Sequence, residues 1–122
     1  MTKSSFRDLE VWQEAMLLVE DIYRLSARFP SDERFGLTAQ LRRASVSIPS
    51  NIGEGWRRKK RRPYINHLEI ALGSQAEVDV QAELAKRLKL LSVADYDALV
   101  LRIDRIGRML NGLISALQPD PG

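Results

Sequence analysis

Gln40 to Gly55, QLRRASVSIPSNIGEG, runs straight into Trp56 to Arg62, WRRKKRR. Within it Leu41, Ala44, Ile48, Ile52 and Gly55, joined upstream by Leu37, recur at three- and four-residue intervals, the period of one helical face. Pro49 interrupts that stripe. An interior proline lacks an amide donor and costs a helix about 3 kcal/mol unless its surroundings compensate. The spacing predicts a helix over about residues 32–57, capped by Ser31 and Asp32 and kinked at Pro49. Hydroxyls of Ser45, Ser47 or Ser50 would serve the freed carbonyl, and a break into two helices is the alternative.

On the N-terminal side, Ser5 and Asp8 form a capping-box pattern. Leu9, Trp12, Met16, Val19, Tyr23 and Ser26 follow as a stripe, so a first helix is expected over about 6–29, ending before Pro30. On the C-terminal side, Pro63 suits the first position of a third helix, about 63–91. Its expected stripe is Tyr64, Leu68, Ala71, Gln75, Val78, Ala82, Ala85 and Leu88. Ser92 and Asp95 signal a fourth helix, about 93–118, with Leu99, Ile103, Ile106, Leu110, Leu113 and Leu117 at the cleanest period in the chain. Four helices with short connections imply one all-α domain over residues 1–122, an antiparallel up-down-up-down four-helix bundle.

The 122 residues include no cysteine and one histidine, His67, which excludes disulfides, thiolate zinc and a cysteine nucleophile. No signal peptide or membrane span is visible, so the default compartment is the cytoplasm. No metal site is expected: the Glu-x-x-His pattern of di-iron bundles is absent. No phosphate loop surrounds Gly53 and Gly55, and no base stands near the serines. A non-enzyme without cofactor is the expectation.

The charge is strongly uneven. Between Arg34 and Arg62 nine cations face one acid, Glu54, so that segment carries +8 and the remainder −5 of the net +3. Arg57, Arg58, Lys59, Lys60, Arg61 and Arg62 can track a phosphate backbone by charge and counterion release. Arg42 and Arg43 either extend that surface or bridge to acids such as Glu69, Glu77 or Asp79. Trp56 and Tyr64 flank the run and can stack on unpaired bases, although packing on the bundle end is the favoured reading of Trp56. The competing reading of the run is a solvated turn that caps a helix dipole; six adjacent cations exceed that need. Gln40, Arg43, Ser47, Asn51, Glu54 and Arg58 form a polar stripe suited either to a hydrogen-bonded helix contact or to solvent.

The chain resembles the bacterial four-helix-bundle family of proteins encoded in 23S rRNA intervening sequences, which also includes accessory variability proteins of diversity-generating retroelements. The resemblance is carried by FRDLEVWQEA (Phe6 to Ala15), Phe29-Pro30, Phe35 to Leu37, the central QLRRASVSIPSNIGEG, Ile70 to Ser74, and RMLNGLI (Arg108 to Ile114). Gly53 departs from a usual alanine, Lys60 from a serine cap, Pro63 from an acidic residue and Gln75 from a leucine. The resemblance implies a ring-like homopentamer, nucleic-acid binding, and, in retroelement members, association with a reverse transcriptase. It favours an oligomer interface at Gln40, Ser47, Asn51 and Glu54, and RNA over DNA as the ligand. The reading is an oligomeric, non-catalytic nucleic-acid binder. The alternative is an adaptor whose basic pole docks an acidic protein partner, such as a component of a ribonucleoprotein or reverse-transcriptase complex.

Overall fold

A computed structural model of the chain describes residues 5–118. Helices α1 (Glu10–Ser26), α2 (Leu37–Arg58), α3 (Arg61–Arg87) and α4 (Val93–Leu117) pack in the order α1–α2–α3–α4, with α4 closing on α1. No strand occurs among the described residues, and no helix there is long and apolar enough to cross a membrane. Along α1 and α4 the ion pairs Arg28–Asp95, Asp21–Arg102 and Glu10–Arg105 fall in opposite numerical order. Ser47–Ser74 and Asn51–His67 do the same along α2 and α3, the order that antiparallel neighbours give.

The α2 stripe is buried throughout, from Leu37 to Gly55, and the helix runs unbroken through Pro49. The kink remains an expectation. Ser45 Oγ donates to the Arg42 carbonyl (3.0 Å), one turn upstream of its own. On α4, Leu99, Ile103, Ile106 and Leu110 are buried as expected, with Leu113 and Leu117 half-buried beside them. Ser92 Oγ accepts from the Asp95 amide at 3.0 Å and starts the helix where the sequence placed it.

Helix α1 differs from expectation in start and face. Ser5 Oγ accepts from the Arg7 amide, closing a 3-10 turn over Phe6–Asp8, and Leu9 is extended before α1 begins. The face turned inward is Val11, Ala15, Leu18, Ile22 and Leu25; Met16 and Tyr23 are 37% and 44% exposed. The expected stripe lies one residue, about 100° of helix rotation, beside the true one. Ala15 occupies the interior at its level, and the bulkier Trp12, Met16 and Val19 lie toward the α1–α2 edge.

Other boundaries shift for local reasons. Glu33 Oε1, not Ser31 or Asp32, accepts from the Leu37 amide and caps α2, after a 3-10 turn at Ser31–Glu33. Helix α3 starts at Arg61, which puts Pro63 third; the first turn has no intrahelical amide bond to lose there. It stops at Arg87 in a Schellman motif: Leu90 N–H donates to Ala85 O (2.8 Å) and Lys89 N–H to Lys86 O (2.9 Å), with Lys89 left-handed at φ 63°. Leu88 is thereby turned out, while Ile65 and Ser74 are buried in place of Tyr64 and Gln75. Gln75 instead donates from Nε2 to the Ile103 carbonyl at 3.0 Å, tying α3 to α4.

Two glycines on α2 behave oppositely. A Cβ at Gly55 would lie 2.7 Å from His67 Cβ and 3.0 Å from Tyr64 Cδ1, so α2 and α3 approach closely only because Gly55 has no side chain. A Cβ at Gly53 would meet the Phe6 ring at an ordinary 3.4 Å. Gly55→Ala should destabilise by about 1–2 kcal/mol, overpacking outweighing the gain in helix propensity. Gly53→Ala should be neutral or stabilising by up to about 1 kcal/mol. Urea unfolding of both variants checks the contrast.

Candidate nucleic-acid interface

The basic run folds as the tip of the α2–α3 hairpin. Arg57 and Arg58 end α2, Lys59 takes the left-handed conformation (φ 57°), Lys60 is extended, and Arg61 and Arg62 open α3. A lysine rather than a glycine at a left-handed position costs about 1 kcal/mol, so charge is kept at the tip at the expense of backbone ease. All six side chains are exposed.

Their helix positions separate stabilising charge from surplus charge. Arg57 and Arg58 complement the negative end of the α2 dipole. Arg61 and Arg62 sit at the positive end of α3, in a first turn with no acid and no side-chain cap. Helix stability is therefore no reason for them. The one ion pair the run makes among the described residues, Arg58–Glu54 at 3.4 Å, joins two side chains more than half exposed and is worth little.

The surface around the run is concave. A cavity of about 320 Å³ is lined by Ser5, Phe6, Trp56, Arg57 and Lys59, and another of about 470 Å³ by Arg61, Arg62, Ile65 and Gln118. The guanidinium carbons of Arg57 and Arg7 lie 5.4 and 4.5 Å from the Phe6 ring centre. Arg7 thus joins the pole, a placement hidden in the sequence because fifty positions separate it from Arg57.

Trp56 is half-buried and meets Tyr64 edge-on, ring centres 6.2 Å apart. Trp56 opens onto the cavity beside Arg57 and Lys59. The Tyr64 hydroxyl is buried with no hydrogen-bond partner among the described residues, and burial raises its pKa. Its polar end points inward, so it is poorly placed to stack on a ligand.

Arg42 and Arg43 lie apart from the run, about 22 Å from Arg57 along α2 at 1.5 Å per residue. Arg42 Nε donates to Ser26 Oγ (2.8 Å) and its Nη2 to the Tyr23 carbonyl (3.4 Å), over the Tyr23 ring. It caps the C-terminus of α1. Arg43 is exposed beside a polar groove of about 360 Å³ between α2 and α3, which Gln40, Ser47, Glu77 and Gln81 also line.

The polar stripe on α2 meets α3 of the same chain. Asn51 Nδ2 donates to Ser47 O (2.9 Å), which orients its Oδ1 toward His67 Nδ1 at 3.0 Å and places the ring proton there. Ser74 Oγ donates to Ser47 Oγ at 2.8 Å, and Glu54 stands 4.0 Å from His67 Nε2. Ser47 and Asn51 are half-buried in that seam; Gln40 and Glu54 stay exposed at its edge.

Acids gather elsewhere. Burial raises the Asp79 carboxyl above the ordinary aspartate value of 3.8, and the charges of Asp104 and Glu83 add to the rise. A basic hairpin tip and an acidic α3–α4 seam thus coexist on one small bundle.

The description 23S rRNA-intervening sequence protein matches residues 7–112. The chain belongs to that family. A crystal structure from Bacteroides thetaiotaomicron, a protein of unknown function from the S23 ribosomal protein family, superposes with a TM-score of 0.80 at 24% identity, over 86% of this chain and 95% of that one. That likeness establishes the shared bundle. No curated protein matches the chain.

Two outcomes follow from these contacts. Arg42→Ala should lower stability by about 1 kcal/mol in urea unfolding, because Ser26 Oγ and the end of α1 lose a charged donor. Asp79→Asn should stabilise at neutral pH by a few tenths of a kcal/mol, a value kept small because solvent still screens the half-buried group. With the folded pKa raised, the penalty of the ionised form is complete above it and vanishes as pH falls below 3.8. Thermal melts of both proteins at pH 7 and pH 3 read that difference.

Proposed function

We propose that this family member is a non-catalytic nucleic-acid-binding protein, acting as a homo-oligomer in the cytoplasm and preferring RNA. The observation that carries the reading is the surplus charge at the hairpin tip: Arg61 and Arg62 oppose the α3 dipole, and among the described residues Lys59, Lys60, Arg61 and Arg62 make no ion pair or ring contact. Such a tip suits phosphates. The preference for RNA rests on the family description, and the pentamer on the family resemblance; a ring would repeat the tip and multiply affinity by avidity. Gln40 and Glu54 at the edge of the α2–α3 seam, with the half-buried Ser47 and Asn51 beside them, remain the proposed subunit contact. Backbone contacts of this kind position a polymer and carry little sequence information.

The test is anisotropy of a labelled structured RNA and a matched DNA duplex over a salt series, with residues 57–62 native or neutralised. Engaging about six duplex phosphates gives a log–log salt slope near −5, which the neutral variant should largely lose. A variant that binds as well as the native chain, or no binding at low salt, turns the reading to an acidic protein partner.

A further inference from the structure

The displaced apolar face of α1 leaves an open groove of about 420 Å³ between α1 and α2, walled by Phe6, Trp12, Met16, Val46 and Pro49 and closed at one end by Glu54 and Arg57. Phe6 and Trp12 meet edge-to-face at 5.3 Å, and Met16 and Val46 remain 37% and 39% exposed. Its volume lies in the range of small-ligand sites, which are apolar with a few polar groups that fix orientation. Arg57 belongs to this groove, to the basic run, and to the cavity beside Trp56.

We propose that the groove receives one unpaired nucleobase of the polymer whose backbone lies on the hairpin tip. The inference rests on the nucleic-acid reading of that tip and narrows its ligand to strands with unpaired bases. Three features favour a base over another apolar occupant. Indole, phenyl, thioether and proline surfaces suit a flat π-system. The groove ends on a guanidinium continuous with the phosphate-binding run, so a backbone held there delivers its own base. Ser50 and Glu54 also line the groove, and their side-chain oxygens can accept from a ring N–H or amino group. A base within a duplex is stacked and paired and cannot enter.

The decisive comparison uses two labelled single-stranded RNAs of equal length and charge, one ordinary and one with its central nucleotides abasic. The native chain should bind the ordinary strand about tenfold more tightly. The double substitution Met16→Gln, Val46→Gln, at two partly exposed positions, should collapse that difference. Photocrosslinking of 5-iodouridine in the ordinary strand requires no variant and should map to Phe6 or Trp12. Equal affinity of the native chain for both strands, with steep salt dependence intact, overturns the groove and leaves the tip reading standing. Crosslinks confined to Trp56 do the same. If neither strand binds at low salt, both readings fall.

Discussion

The close approach of α2 and α3 at Gly55 is the constraint on which the surface depends. A missing Cβ lets the backbone of α2 lie against His67 and Tyr64. Ala44, Ser45 and Ser47 on one helix and Ala71, Ser74, Ala82 and Ala85 on the other keep small residues along the hairpin. Because the two helices are this near, Lys59 and Lys60 suffice to join them. A two-residue link compresses six consecutive cations into one turn instead of spreading them along a helix or a loop. The charge density of the tip is therefore a product of small-residue packing several residues away.

The seam also explains why the polar stripe on α2 is shared rather than free. Small hydroxyls satisfy one another at short range, as Ser47 and Ser74 do, and Asn51 holds the only histidine in one tautomer. These bonds fix rotation of α2 against α3. The rotation in turn decides which α2 residues face α1, and so where Val46, Pro49 and Glu54 line the outer groove.

Most of the fold was legible in the sequence, for physical reasons that also mark where legibility ended. On α2 the apolar stripe is flanked mostly by polar or small residues, and its buried face matched; on α4 the match holds from Leu99 to Leu110, after which Ile114 is buried while Leu113 and Leu117 are half-buried. On α1 two apolar stripes run side by side, Val11 to Leu25 and Trp12 to Tyr23; size favours the second to the eye, while interior space favours the first. Composition could show the basic run and place it between helices. It could not show that Arg42 is occupied at the end of α1, that Tyr64 turns its hydroxyl inward, or that Arg7 reaches the same pole through Phe6. Each of these depends on which distant backbone lies within a side chain's reach.

The distribution of acids gives the surplus charge its meaning. Elsewhere the bundle matches cations across helices: Arg102 meets Glu14 and Asp21, Arg105 meets Glu10 and Glu14, and Arg28 meets Asp95. The sequence carries 16 acids, so partners for the hairpin tip were available in number. Among the described residues one, Glu54, pairs with a cation of the tip, and it is shared between Arg58 and His67. A surface that pairs its charges along the α1–α4 edge and withholds them at one turn concentrates its positive potential at that turn. The field there extends roughly a Debye length, about 8 Å at physiological salt, which is enough to gather a polyanion before any specific contact forms.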